Sequence, residues 1–349
     1  MSERALTDRA STDRQATDRD ARIAQFVEAA GWGAARRAPL AGDASFRRYE
    51  RLTASGGETL VLMDAPPPQE DVRPFVKIAR HLASLGLSAP RIVAADETAG
   101  LLLLEDFGDS NMARLVDAPG DQSALYALAT DTLAALHRHP RAGAIELPAY
   151  DSARLAEEAC LLLDWYLPAL AGRPTPPALR EEYVMLLRAL ATPLDALPRS
   201  LVLRDYFPDN LMYLPDRAGV AACGLLDVQD ALLGPVAYDL VSLLEDARRD
   251  VPDALKATMR ARYLAAFPVL DREDFMAGYQ FCNAQRNLRI IGVFTRLCRR
   301  DRKPGYLRHI PRLWRLVEQA VAHPTLRPLE DWLACNLPRG LRRMPNIAA

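Results

Sequence analysis

The chain has 349 residues, 50% of them apolar, with 44 Lys or Arg against 45 Asp or Glu and a net charge of −1. One large domain or two lobes with an ample core fit that length, and the balanced charge argues against nucleic acid or an anionic membrane as main partner. Five scattered cysteines without a CxxC pair, no metal-binding His pattern, no signal segment and no run of eighteen apolar residues lead us to expect a reduced, soluble, cytoplasmic protein.

Residues 1–20 carry a tandem pattern, Thr7-Asp8-Arg9, Thr12-Asp13-Arg14 and Thr17-Asp18-Arg19, too polar to offset its ordering entropy and read as a flexible tail. A helical pattern with Ile23, Phe26 and Val27 on one face follows, broken at Gly31 and Gly33. Phe46–Leu52 and Thr59–Met63 have strand character, joined by the Ala54–Glu58 turn. Pro66-Pro67-Pro68 forces an extended loop before an amphipathic helix over Val72–Leu85, ended by Gly86. Arg91–Asp96 and Leu101–Glu105 read as two further strands. After Gly108 the character changes to helices, with apolar spacing near 3.6 over Ser123–His137, Ser152–Tyr166, Ala178–Leu190, Leu240–Arg248, Pro252–Ala266, Phe275–Arg299 and Pro311–His323. Two short strands, Leu201–Leu203 and Val220–Asp227, lie among them. The expected class is α+β: a β-rich N-lobe over 21–107 and a helical C-lobe over 108–349.

Those two short strands flank the chemistry. Asp205 can orient and deprotonate a hydroxyl, while the Asn210 amide oxygen and the Asp227 carboxylate are hard ligands of the kind that hold Mg²⁺ against nucleotide phosphates. An aspartate in a turn or helix cap is the plainer account of Asp205, and the five-residue step to Asn210 with a strand leading into Asp227 favours the chemical one. Asp230 could touch metal or substrate, or simply close a turn before Gly234.

Three ordered blocks, Leu203-Arg204-Asp205 through Asn210, Leu226 through Ala231, and Ala237-Tyr238-Asp239-Leu240, make the chain resemble the aminoglycoside phosphotransferase and choline kinase branch of the protein-kinase-like bilobal fold over about residues 25–325. Gly42 through Tyr49, Met63 through Pro67, Leu104 through Asp109, Gln285 through Leu288 with Gly292-Val293-Phe294, and Tyr306 through Pro311 are similar to a bacterial subgroup of anomeric amino-sugar kinases. This resemblance implies an ATP-dependent kinase acting on a sugar hydroxyl, the C1 hydroxyl of N-acetylmuramate or N-acetylglucosamine in cell-wall recycling, with ATP and Mg²⁺ as cofactors. It also implies that Asp239 braces the catalytic loop by accepting backbone hydrogen bonds, beside its plain reading as a helix-cap residue.

By the same resemblance Gly42 and Ser45 sit on a phosphate-covering hairpin, and Glu105 to Phe107 form a hinge whose backbone reads adenine, with Leu103 lining the ring. Arg286 and Asn287 are the candidates for substrate, an arginine suiting the lactyl carboxylate of N-acetylmuramate, with an arginine on a solvated helix face as the plain alternative. The chain departs from the pattern twice. Leu203 stands where many relatives have His, and Met63 and Asp64 stand where a strand lysine ordinarily pairs nucleotide phosphates. Arg47 or Arg48 is expected to supply the missing contact, and strand alternation allows only one of them to do so. Other readings of the same residues are a kinase of another small alcohol, such as an aminoglycoside or amino alcohol, and a nucleotide-binding pseudokinase.

Overall fold

The computed structural model describes residues 18–40 and 46–346. These fall into two compact units: one holds the described residues through Ser110 together with Gly224–Gln229, and the other holds Asn111–Cys223 with the described residues from Asp230 onward. The Thr-Asp-Arg repeats up to residue 17 and the phosphate-hairpin residues Gly42 and Ser45 lie outside the described residues.

The first unit is a five-stranded antiparallel sheet, β1 (Arg36–Pro39), β2 (Arg48–Thr53), β3 (Thr59–Asp64), β4 (Ile92–Asp96) and β5 (Leu101–Glu105), in the order β1-β2-β3-β5-β4. Helix α1, over residues 18–29, packs Ile23 and Val27 against Leu52, Leu60, Leu62, Leu101 and Leu103. Residues 18–20, assigned to the polar tail by composition, belong to this helix, and Arg19 anchors it by donating to Asp64 Oδ1 and the Ala99 carbonyl. Alternation turns Met63, Leu102 and Leu104 to the opposite face. Helix α2 (Arg73–Ser84) buries Phe75, Ile78 and Leu82 and ends in a left-handed Gly86, after which Leu87 N donates back to Leu82 O. The fragment from Gly224 joins this unit because Leu225 N donates to Ser88 O at 2.7 Å.

In the second unit the axis is α10 (Arg272–Asp301), 30 residues long and started by Asp271, whose carboxylate accepts from Glu273 N and Asp274 N. It packs against α5 (Ser152–Ala159), α8 (Ala237–Leu244) and α11 (Ile310–Val321). A Cβ on Gly292 would lie 2.2 Å from the Leu161 backbone carbon, so the approach of that segment to α10 requires glycine. There the expected single helix Ser152–Tyr166 is α5 followed by a π-helical turn over Leu162–Tyr166. Strand β6 (Arg199–Val202) pairs antiparallel with β9 (Leu232–Pro235), an element too short to register in the hydrophobic pattern. The strand expected over Val220–Asp227 shortens to β8 (Cys223–Leu225), preceded by a 3₁₀ turn over Gly219–Ala222. The helix expected over Leu240–Arg248 starts three residues earlier and stops at Leu244. β1 and α12 (Arg327–Asn336) have no counterpart in the sequence reading.

Candidate active site

The loop that carries Asp205 leaves β6 and is tied from behind by α8. Asp239 is fully buried, accepting from Leu203 N at 2.6 Å and Arg204 N at 2.8 Å, and one turn later Ser242 Oγ donates to Arg204 O at 3.0 Å. Asp239 makes no cap on its own helix, so of its two readings the bracing geometry is the one present. Burial pushes its carboxyl up to about 7, against the two backbone donors and with Asp205 adding repulsion. Leu203 is buried and contributes its backbone to this contact. Arg204 has φ 69°, a left-handed conformation that a non-glycine residue adopts only when its surroundings enforce it.

A 3₁₀ turn over Pro208–Asn210 brings Asn210 back to the loop, where its Nδ2 donates to the Asp205 carbonyl at 3.0 Å. The amide nitrogen is thereby committed to the loop. Neighbouring Asp209 receives Arg249 Nη1 at 2.8 Å, and its carbonyl receives Asn111 Nδ2 at 2.8 Å.

Within the first unit, Asp227 also adopts a left-handed conformation, φ 55°. Its Oδ1 accepts from Arg47 Nη1 at 3.0 Å and Gln229 Nε2 at 2.7 Å. Arg47 Nε donates to Glu70 Oε2 at 3.1 Å, and Glu70 Oε1 also takes Phe46 N. The Arg47 guanidinium is raised: burial alone would lower it, and Tyr49, Asp227 and Glu70 outweigh burial. Arg48 points elsewhere, donating twice to Asp64 Oδ2, at 2.9 and 2.6 Å. Asp64, at the end of the strand that lacks the lysine, is thus a buried carboxylate held by Arg19 and Arg48.

At the end of β5, Glu105 N donates to Arg91 O and its Oε2 accepts from Arg91 N. The segment after it, which includes the half-buried Phe107, is fixed by a contact that local sequence gave no sign of: Arg51 donates to Asp106 at 2.6 and 3.1 Å, to Asp109 at 2.9 Å and to Gly108 O. Asp106 is lowered, since Arg51 and the Gly108 amide outweigh its burial. Leu103 is corrected from adenine contact to core, being wholly enclosed beneath α1.

The substrate candidates separate. Asn287 is interior, its Nδ2 bonded to Asn283 of the preceding turn. Arg286 is 2% exposed, and its Nε and Nη1 meet no acceptor among the described residues. Asp230 is exposed, and its carbonyl lies 3.5 Å from Arg204 Nη1. Glu158, on which the sequence reading was silent, gathers Arg204 Nη2 at 2.8 Å, Arg154 Nε at 3.3 Å, Arg289 Nε at 3.1 Å and the Tyr150 hydroxyl at 3.0 Å. A cleft of about 240 Å³ elsewhere in this unit is lined by Asp246, Arg249, Asp250, Lys256 and Arg312, where Arg249 pairs with Asp246, Arg312 with Asp250, and Lys256 with Glu245 beside it. No helix of the described residues is long and apolar enough to cross a membrane.

Among the described residues no group of three or more His, Cys, Asp or Glu could hold a metal. Mg²⁺ needs no such cage, because it keeps waters and substrate phosphates beside one or two protein oxygens. The amide of Asn210 and the carboxylate of Asp227 are oxygen donors of that kind.

The profile of the phosphotransferase enzyme family matches residues 36–277. A protein of Caulobacter vibrioides named N-acetylmuramate/N-acetylglucosamine kinase is 37% identical over 93% of this chain and 98% of its own length. One of the same name from Pseudomonas aeruginosa is 40% identical over 92% and 95%. Among solved structures, a Plasmodium vivax ethanolamine kinase superposes with a TM-score of 0.57 at 13% identity, covering 84% of this chain and 83% of that one. A choline kinase from Streptococcus pneumoniae gives 0.57 at 14%, covering 82% and 94%. At such identities the two superpositions speak for the fold, which is protein-kinase-like.

Proposed function

The chain belongs to the phosphotransferase enzyme family, and on that footing we propose that it transfers the γ-phosphoryl group of ATP to the C1 hydroxyl of free N-acetylmuramate or N-acetylglucosamine, in the cytoplasm, as a step of cell-wall recycling. The observation that carries the substrate is the similarity to kinases of that name along nearly the whole of both chains.

Phosphoryl transfer passes through a loose transition state, so the protein mainly positions groups and balances charge. Asp205 orients the sugar hydroxyl and receives its proton late, and Asp239 and Ser242 fix the loop that carries it. Asn210 and Asp227 would hold Mg²⁺, which when bound would neutralise charge on the phosphates. Arg47 takes the role of the absent strand lysine, since it and not Arg48 reaches Asp227. The hinge from Glu105 to Phe107 would read adenine through backbone groups other than Glu105 N, which is bonded to Arg91 O.

The test is a Mg-ATP turnover assay on a panel of free amino sugars and amino alcohols, with the product's phosphorylation site read by phosphorus NMR. A sugar 1-phosphate supports the reading. Phosphate on another hydroxyl, or nucleotide binding without turnover, overturns it.

A further inference from the structure

Glu158 is outnumbered. Its Oε2 already receives the Tyr150 hydroxyl and Arg204 Nη2, and Tyr150 in turn meets the Tyr238 hydroxyl at 3.1 Å. Arg289 Nε lies 3.1 Å from the same oxygen but out of line for a hydrogen bond, and it finds no other acceptor among the described residues. One turn before it on α10, Arg286 is buried with two unsatisfied donors, and two turns after it Arg296 has a buried, unsatisfied Nε. Residues 286, 289 and 296 share one face of the helix, at steps of three and seven. Burial and the cations of Arg300 and Arg289 lower Arg296 against the opposing Asp301, and the carboxylate beside Arg289 is Glu158. The cluster borders the catalytic loop, because Arg204, held by Glu158, directly precedes Asp205. Arg289 is 18% exposed at its side chain, whereas Arg286 is closed off. Buried guanidinium donors with no acceptor are costly and call for an anion.

We propose that Arg289 recognises the carboxylate of an acidic acceptor sugar, so that the site selects a sugar carrying a lactyl-type acid over its neutral counterpart. This rests on the amino-sugar reading above and names the residue that would discriminate within it. A phosphate oxygen of the nucleotide offers similar chemistry, and the experiment separates the two sources.

Steady-state rates are measured with N-acetylmuramate and N-acetylglucosamine for the wild type, Arg289→Met and Arg289→Lys. The expected result is that the N-acetylmuramate to N-acetylglucosamine ratio of kcat/KM falls at least tenfold in Arg289→Met, chiefly through KM, with partial rescue in Arg289→Lys. Equal losses for both sugars, the signature of a nucleotide contact or a purely structural role, overturn the proposal, as does an unchanged ratio. Should the wild type turn over neither sugar, the parent reading fails. Calorimetric binding of N-acetylmuramate to wild type and Arg289→Lys then decides the residue, and equal affinity or absent binding overturns it.

Discussion

Two charged junctions of the helical unit have opposite stoichiometry. Around Arg249 one guanidinium meets three carboxylates, Asp117, Asp209 and Asp246, while around Glu158 one carboxylate meets three guanidiniums, Arg154, Arg204 and Arg289. The imbalances are not equivalent, because a carboxylate can shed its charge near neutrality and a guanidinium cannot. Asp246 shows the escape: it is fully buried and raised by that burial, with Arg249 opposing the shift. The surplus of acids at Arg249 can therefore relax within the protein. The surplus of arginines at Glu158 persists at pH 7, because guanidiniums keep their charge there.

Removing the minority partner from each junction is the harshest way to break this comparison. Glu158→Gln leaves the arginines uncompensated and is expected to cost about 3 kcal/mol of stability, the scale for orphaning a buried ion pair. Denaturant unfolding should find that loss equal at pH 5.5 and pH 8. Arg249→Met is expected to cost about 2 kcal/mol at pH 8 and less as pH falls, because it removes the cation that opposes the upward shift of the buried Asp246 carboxyl. A pH-independent loss in Arg249→Met would show that the two junctions do not differ in the way argued.

Asp239 sharpens the point on a residue whose charge the site needs. Its folded pKa is raised from the ordinary 3.8 to about 7. The stabilising contribution linked to its proton is therefore full below about pH 4 and is lost as pH rises through 7. Turnover should run the other way. As pH falls below about 7, protonation removes an acceptor for the Leu203 and Arg204 amides, so kcat is expected to drop about tenfold per unit on the acid side. A pH profile of kcat that stays flat from 8 to 5.5 would contradict this.

The smallest effect concerns Arg47, which sits between two carboxylates, Glu70 and Asp227. Arg47→Met is expected to raise the Kd for Mg-ATP about tenfold, near 1.4 kcal/mol, while Arg48→Met leaves it within about twofold. Titration calorimetry checks both, and equal effects would remove the distinction drawn from their directions.

What the sequence determined was what short spacing encodes. Five residues separate Asp205 from Asn210, and that step alone closes the contact between the Asn210 amide and the Asp205 carbonyl. The apolar runs Leu60–Met63 and Leu101–Leu104 marked two strands, and the period of Phe275–Arg299 marked the long helix, because each pattern is set by backbone geometry within a few residues. Tertiary structure decided the rest. Arg47 and Asp227 lie 180 residues apart, Arg204 and Glu158 lie 46 apart, and Arg51 reaches Asp106 across 55. Which arginine of a pair meets Asp227, and which carboxylate is outnumbered, follows from contacts between segments far apart in sequence. Local sequence cannot carry that information, since identical Arg-Arg or Arg-x-x-Arg spacings arise on solvated surfaces and only long-range contacts distinguish them.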